Sequence, residues 1–179
     1  MLDNPSDMAR FIALSTMLTM ALYQDAVHRK IPNTLVLAGA LTGAGLSLAP
    51  TGIGLISSLA GGMVGLLGFG LFYVYRFLGA GDVKLASAVG FFTGFPEIMK
   101  VSLCILLAGG VLAFAWGVWT SQLMPALVNL RTACFFRFGK NRPPTSTPHR
   151  FTPTLARVPY AIAIAAGTWL QVATPWSPL

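Results

Sequence analysis

The chain has 179 residues, 55% of them hydrophobic and 9% charged, with a mean hydropathy of +0.70. Roughly a quarter of the residues in an average soluble domain are charged, so this composition excludes a water-soluble globular fold. It predicts an all-α integral membrane protein, and the net charge of +7 has to be read by position before any nucleic-acid partner is invoked.

The tail Met1 to Arg10 sets Asp3 and Asp7 against one arginine, which is not the basic start of a secretory signal. No A-x-A site follows the first apolar run, so a retained first helix is predicted over about 8–27. That run, 11–24, has 14 residues. It crosses a hydrocarbon core of roughly 30 Å only if the helix continues through its charged flanks.

Residues 31–75 contain no Asp, Glu, Lys or Arg, and Pro50-Thr51-Gly52 divides them into helices over about 33–49 and 53–76. Gly39 with Gly43, and Gly61 with Gly65, lie four apart, a spacing that allows close helix contact in lipid. A fourth helix is predicted over about 82–99, around a 12-residue apolar run between Lys84 and Glu97. Like the first, it spans only by carrying its charged flanks with it. Charge-free runs at 101–130 and 158–179 place the last two helices at about 101–124 and 156–174.

With six spans, alternate connections hold Arg29, Lys30, Arg76, Lys84, Arg131, Arg137, Lys140, Arg142, Arg150 and Arg157. By the positive-inside rule these loops face the cytoplasm and both termini lie outside it. The charge needs no nucleic acid to explain it. The one long connection, about 125–157, is a basic cytoplasmic loop interrupted by Pro143, Pro144, Pro148 and Pro153. Its Phe135, Phe136 and Phe138 suit either an anionic lipid surface or a plain solvated loop. Residues 1–179 read as one membrane domain. Cys104 in a span and Cys134 in a loop have no metal-ligand spacing, and both read as structural.

Five acids are present, and Asp3, Asp7 and Glu97 fall on the outer side, which leaves Asp25 and Asp82 at the cytoplasmic face. A charge within a bilayer costs at least about 2.5 kcal/mol, so both are functional candidates. Asp25 ends the first span and Asp82 begins the fourth, at similar depth. Two carboxyls flanking one water do not both ionise readily, which leaves one acid and one base, the machinery of aspartyl proteolysis. Gly79 and Gly81, without Cβ atoms, let the backbone bend before Asp82 and a substrate strand come close.

Gly79-Ala80-Gly81-Asp82, followed by Lys84, resembles the GxGD signature of the type IV prepilin peptidases. Asp25 with the basic residues after it and then Ile31-Pro32-Asn33 resembles that family's first catalytic segment, and Val158-Pro159-Tyr160-Ala161-Ile162-Ala163 resembles its last helix entry. The resemblance implies an aspartyl endopeptidase of the bacterial inner membrane, multi-pass, removing the basic leader of prepilins or pseudopilins at the cytoplasmic face. Asp25 and Asp82 would be its catalytic pair, with no metal and no cofactor. Membrane lipid and the pilus assembly machinery would be its surroundings. The paired cysteines of the larger, methylating members are missing, so the chain is similar to the short, peptidase-only form that serves tight-adherence (Flp-type) pili, with no use for S-adenosylmethionine.

Other residues have humbler readings. Lys84 tunes Asp82, holds a substrate carbonyl, or snorkels to the interface. Pro32 starts the second helix, where its missing N–H costs nothing, and Asn33 caps it. His28 modulates Asp25 or is a solvated loop residue, and His149 has no evident partner.

A phosphate-binding loop fails because position 84 is Lys84 where a third glycine would be needed. A serine protease fails because both histidines fall in loops. An ion-coupled transporter or channel with paired carboxylates is the alternative from another class, although its acids would be expected near the midplane. An inactive scaffold in a pilus or secretion assembly would tolerate loss of either carboxyl.

Overall fold

The computed structural model describes residues 5–75, 78–119 and 160–173, and every regular element among them is a helix. In chain order these are α1 Pro5–His28, α2 Asn33–Ser47, α3 Leu55–Val74, α4 Ala80–Thr93, α5 Glu97–Trp119 and α6 Tyr160–Ala173. Two compact units result. Residues 1–109 with 159–179 form the first, and 110–158 the second, of which only the end of α5 is described. The predicted loop at 125–157, the end of the fifth predicted span and the start of the sixth lie outside the described residues, with Cys134 and His149.

The two short apolar runs behave differently. In α1 the helix does continue through Asp7, Arg10 and Asp25, for 24 residues in all. The fourth helix does not reach residue 99 as predicted. It stops at Thr93, because Gly94 adopts a φ of 70°, and α5 begins at Glu97. The predicted span runs through Gly94, Pro96 and Glu97 to reach a membrane-spanning length, and the helix breaks at the first two. Glu97 and Lys100 then pair at 3.1 Å in the first turn of α5, which lets an apolar helix start through two charges.

At 14 residues, α4 is about 21 Å long, short of the hydrocarbon thickness. It is the central element. Val83, Leu85, Ala86, Ser87, Ala88, Val89, Gly90 and Phe92 are all buried, and α1, α2, α3 and α6 pack around it. A helix apolar on all sides needs such a sheath. The sheathing helices instead turn large apolar side chains outward, among them Met20, Leu41, Ile56, Leu67, Leu71 and Leu170, and α5 does the same with Leu103 and Leu107. An outward face this apolar is unsuited to water. Among the described residues, the helices at Leu55–Val74 and Glu97–Trp116 are long and apolar enough to cross a membrane.

The glycine spacing does what the sequence suggests. A Cβ on Gly61 would lie 2.7 Å from the Cα of Gly94, and one on Gly65 would lie 2.9 Å from the carbonyl oxygen of Ala86, so α3 and α4 touch backbone to backbone. Three serines stitch the same seam: Ser58 Oγ donates to Phe91 O at 2.6 Å, Ser87 Oγ to Gly62 O at 2.9 Å, and Ser57 Oγ to Phe95 O at 2.7 Å. Gly43 seats α2 against the backbone of Phe91 and Phe92, and Gly39 admits the side chain of Met17 from α1.

Candidate active site

Asp25 lies in the last turn of α1 and Asp82 in the first turn of α4. Helix α1 ends because Arg29 takes a left-handed backbone, φ 51°, while its N–H still donates to Asp25 O at 2.9 Å. That reversal sends Ile31-Pro32-Asn33 toward α4. Pro32 is extended, at φ −63° and ψ 135°, immediately before α2, where a missing N–H is harmless.

The two sequence motifs are physically knitted. Ile31 packs on Gly81, whose absent Cβ would stand 3.5 Å from the Ile31 side chain. Asn33 departs from the expected capping role. It makes no side-chain cap, and its Oδ1 accepts a hydrogen bond of 2.9 Å from Lys84 Nζ on α4. The side chain of Asn33 is thus spent on tertiary contact, and Lys84 is tied to α2 by that bond.

The GxGD glycines also have defined tasks. Gly79 is extended, at φ −78° and ψ 153°, so it serves through close approach and not through a left-handed turn. Its N–H donates to Asp82 Oδ2 at 3.1 Å and its carbonyl accepts from Val83 N at 3.3 Å, which fixes the start of α4 and orients the carboxyl.

Asp25 and Asp82 are near enough that the charge on Asp25 is felt at Asp82. The backbone N–H of Ala161, at the start of α6, is directed at the Asp25 carboxyl, and Asp25 Oδ2 is buried with no hydrogen-bond partner. The phenol of Tyr160, one residue earlier, lies within the field of Asp82. Sequence reasoning assigns Tyr160 no role of its own. Its only signal was its place in the helix-entry segment 158–163.

An open apolar groove of about 310 Å³ between α2, α3 and α4 is lined by Val36, Leu37, Leu66 and Ala88 together with Asn33 and Lys84. Neither aspartate lines it. His28 is exposed at the end of α1. Among the described residues no three His, Cys, Asp or Glu side chains gather as metal ligands would. Cys104 is a free thiol that contacts Gln171 Oε1 at 3.3 Å, joining α5 to α6.

No curated protein and no solved structure matches the chain. The family model described as the type IV leader peptidase family does match, over residues 12–118, a stretch that contains both aspartates and both motifs. The chain therefore belongs to the type IV leader peptidase family.

Proposed function

We propose that the chain is an aspartyl endopeptidase of the bacterial inner membrane that removes the leader peptide of prepilins or pseudopilins, of the Flp type, at the cytoplasmic face. The observation that carries this reading is that Asp25 and Asp82, 57 positions apart in sequence, lie near enough for the charge of Asp25 to act at Asp82. In the proposed reaction one carboxylate takes a proton from water as the water oxygen attacks the peptide carbonyl carbon. The other, protonated, carboxyl gives its proton to the carbonyl oxygen. Collapse of the tetrahedral species breaks the C–N bond, with a proton passing to the leaving amine. The buried, unbonded Oδ2 of Asp25 supports the reading, since a nucleophilic water needs an acceptor not already occupied. The outward apolar side chains support a lipid-embedded helical bundle, the placement of Lys and Arg supports both termini outside the cytoplasm, and the proposed chemistry is hydrolysis alone.

Co-expression with a prepilin-like protein tests it, with substrate size followed by blot. Asp25→Asn and Asp82→Asn keep shape but cannot ionise, and Asn at 82 retains an oxygen that can accept from Gly79 N–H. Both variants should accumulate normally and leave the leader in place. Leader removal at the parental rate in either one defeats the proposal.

A further inference from the structure

The groove between α2, α3 and α4 is lined by neither aspartate, so the proposed hydrolysis leaves it without a use. Asn33 opens α2, and Lys84 stands near the start of α4. Val36, Leu37 and Ala40 carry the groove along α2 for seven residues beyond Asn33, about 10 Å, while Ala88 carries it along α4 and Leu66 supplies the α3 wall. In the proposed topology both α2 and α4 start at the cytoplasmic face. Asn33 and Lys84 therefore stand nearest the headgroups, with Val36, Leu37, Ala40 and Ala88 deeper. Ser87, the other polar residue of the wall, turns its hydroxyl to Gly62 O. At about 30 Å³ for a group the size of water, 310 Å³ has room for roughly ten carbons of a chain.

An ammonium only donates, so the Asn33 amide gives its oxygen to Lys84, at 2.9 Å, and keeps its nitrogen for another partner. The pair then offers the remaining N–H groups of both side chains, and all of them need an acceptor. Among the described residues the ion pairs join Arg10 to Asp7 and Lys100 to Glu97, and neither includes Lys84. The nearest acid along α4, Asp82, accepts from Gly79 N–H. Arg29 and Lys30, both exposed, lie in the connection that leads into α2 and add positive charge on the same face. An apolar wall does not choose between lipids, because acyl chains are as apolar as leucine. Charge makes the choice: a cationic rim attracts an anionic headgroup, whereas a zwitterionic one brings an ammonium of its own toward Lys84.

We propose that this groove is a binding site for an anionic phospholipid of the cytoplasmic leaflet. One acyl chain lies along Val36, Leu37, Ala40 and Leu66, and the headgroup phosphate accepts from Lys84 and the Asn33 amide. The site needs the membrane and not the peptidase chemistry. It ties lipid composition to the helix that carries Asp82, since Lys84 stands two positions after it.

The test uses the full-length chain in detergent micelles with equal amounts of phosphatidylglycerol and phosphatidylcholine of the same acyl chains, and reads the lipid retained by native mass spectrometry. The parent should favour phosphatidylglycerol by about fivefold or more, the effect of at least one cation at a membrane surface. Lys84→Gln removes one cation and should lower that ratio by about fivefold, whereas Lys84→Arg should keep it. Ala40→Leu narrows the groove and leaves the charge, so it should lower retention of both lipids. Asp25→Asn and Asp82→Asn should bind lipid as the parent does, which keeps loss of this site distinct from loss of the peptidase reading. Equal retention of the two lipids by the parent overturns the proposal, as does an unchanged ratio in Lys84→Gln or unchanged retention in Ala40→Leu. Displacement of the lipid by inorganic phosphate would make the rim a free-anion site, and displacement by a prepilin-like protein would make the groove a substrate site; either result overturns the proposal. Should Lys84→Gln fail to accumulate, the parental ratio and Ala40→Leu decide.

Discussion

Lys84 Nζ donates to Asn33 Oδ1 across 2.9 Å, linking two residues 51 positions apart and closing the two sequence motifs on each other. The bond is exposed, so its contribution is at the low end for a charged donor, about 0.5–1.5 kcal/mol. In a double-mutant cycle, Lys84→Met and Asn33→Ala should each lower thermal stability, and the pair should cost less than the sum. Cleavage should drop by about tenfold or less in each, through displacement of the start of α4, far short of the loss in an aspartate variant. Full additivity of the two stability effects would show that the bond is incidental.

Much of this site was legible in the sequence, for identifiable reasons. A chain with five acids that spends two of them at predicted helix ends marks Asp25 and Asp82 by cost alone. Glycines four apart read correctly because helix periodicity fixes which face they share, and Gly61 and Gly65 do line one seam with α4. The predicted end of α4 is misplaced because the helix is carried through Glu97 to fill a membrane span, although Gly94 and Pro96 mark a break in the sequence itself. The use of Asn33 was not legible. A local rule assigns it to its own helix, whereas its partner comes from a distant one. Tyr160 shows the same limit, because Gly109, against which its phenol packs, is distant in sequence and shares no motif with it.

The α3–α4 seam makes a sharp contrast between glycines. A methyl at Gly61 would meet backbone atoms of Gly90 and Gly94, which cannot rotate aside, whereas a methyl at Gly68 would meet nothing within 4 Å. Gly61→Ala should therefore cost at least about 1–3 kcal/mol, enough to lower the yield of folded protein. Gly68→Ala should be neutral or gain up to about 1 kcal/mol from helix propensity. Thermal unfolding in detergent compares them, and equal midpoints would refute the backbone contact.

Arg10 tests stability apart from chemistry. Its guanidinium donates to Phe92 O at 2.5 Å, at the last turn of α4, and to Asp7 Oδ1 at 3.2 Å. It thus caps a helix C-terminus with a cation and is itself neutralised by its neighbour one turn earlier. Arg10→Ala should destabilise by about 1–3 kcal/mol, because it strands a partly buried carbonyl and leaves Asp7 unpaired. Arg10→Lys should recover only part of this, since one ammonium does not reproduce the planar fork that reaches both partners. Asp25 is 15 residues away along α1, about 22 Å, so the folded fraction of either variant should cleave at the parental rate. Activity per folded molecule is the deciding measurement. A loss there that exceeds the loss of folded protein would mean that this end of α4 communicates with the site.

Two carboxyls that feel one another's charge titrate as a pair, and the rate should carry that signature. Hydrolysis needs one carboxyl ionised and the other protonated. Below the first macroscopic ionisation both are protonated, no base remains, and kcat should fall tenfold per pH unit. Above the second both are ionised, no proton is left for the carbonyl oxygen, and kcat should fall again with the opposite slope. Between the two the profile is level, and its width measures how strongly the carboxyls repel. Replacing either by Asn removes both limbs with the activity. Replacing Asp82 by Glu keeps the charge but lengthens the side chain beyond the grip of Gly79 N–H, so it should lower the plateau and change its width. Full-length protein in liposomes, held intact across the range and assayed by leader release, gives the curve. A rate independent of pH from the acid side to neutrality would mean that the two aspartates do not share the proton on which this chemistry depends.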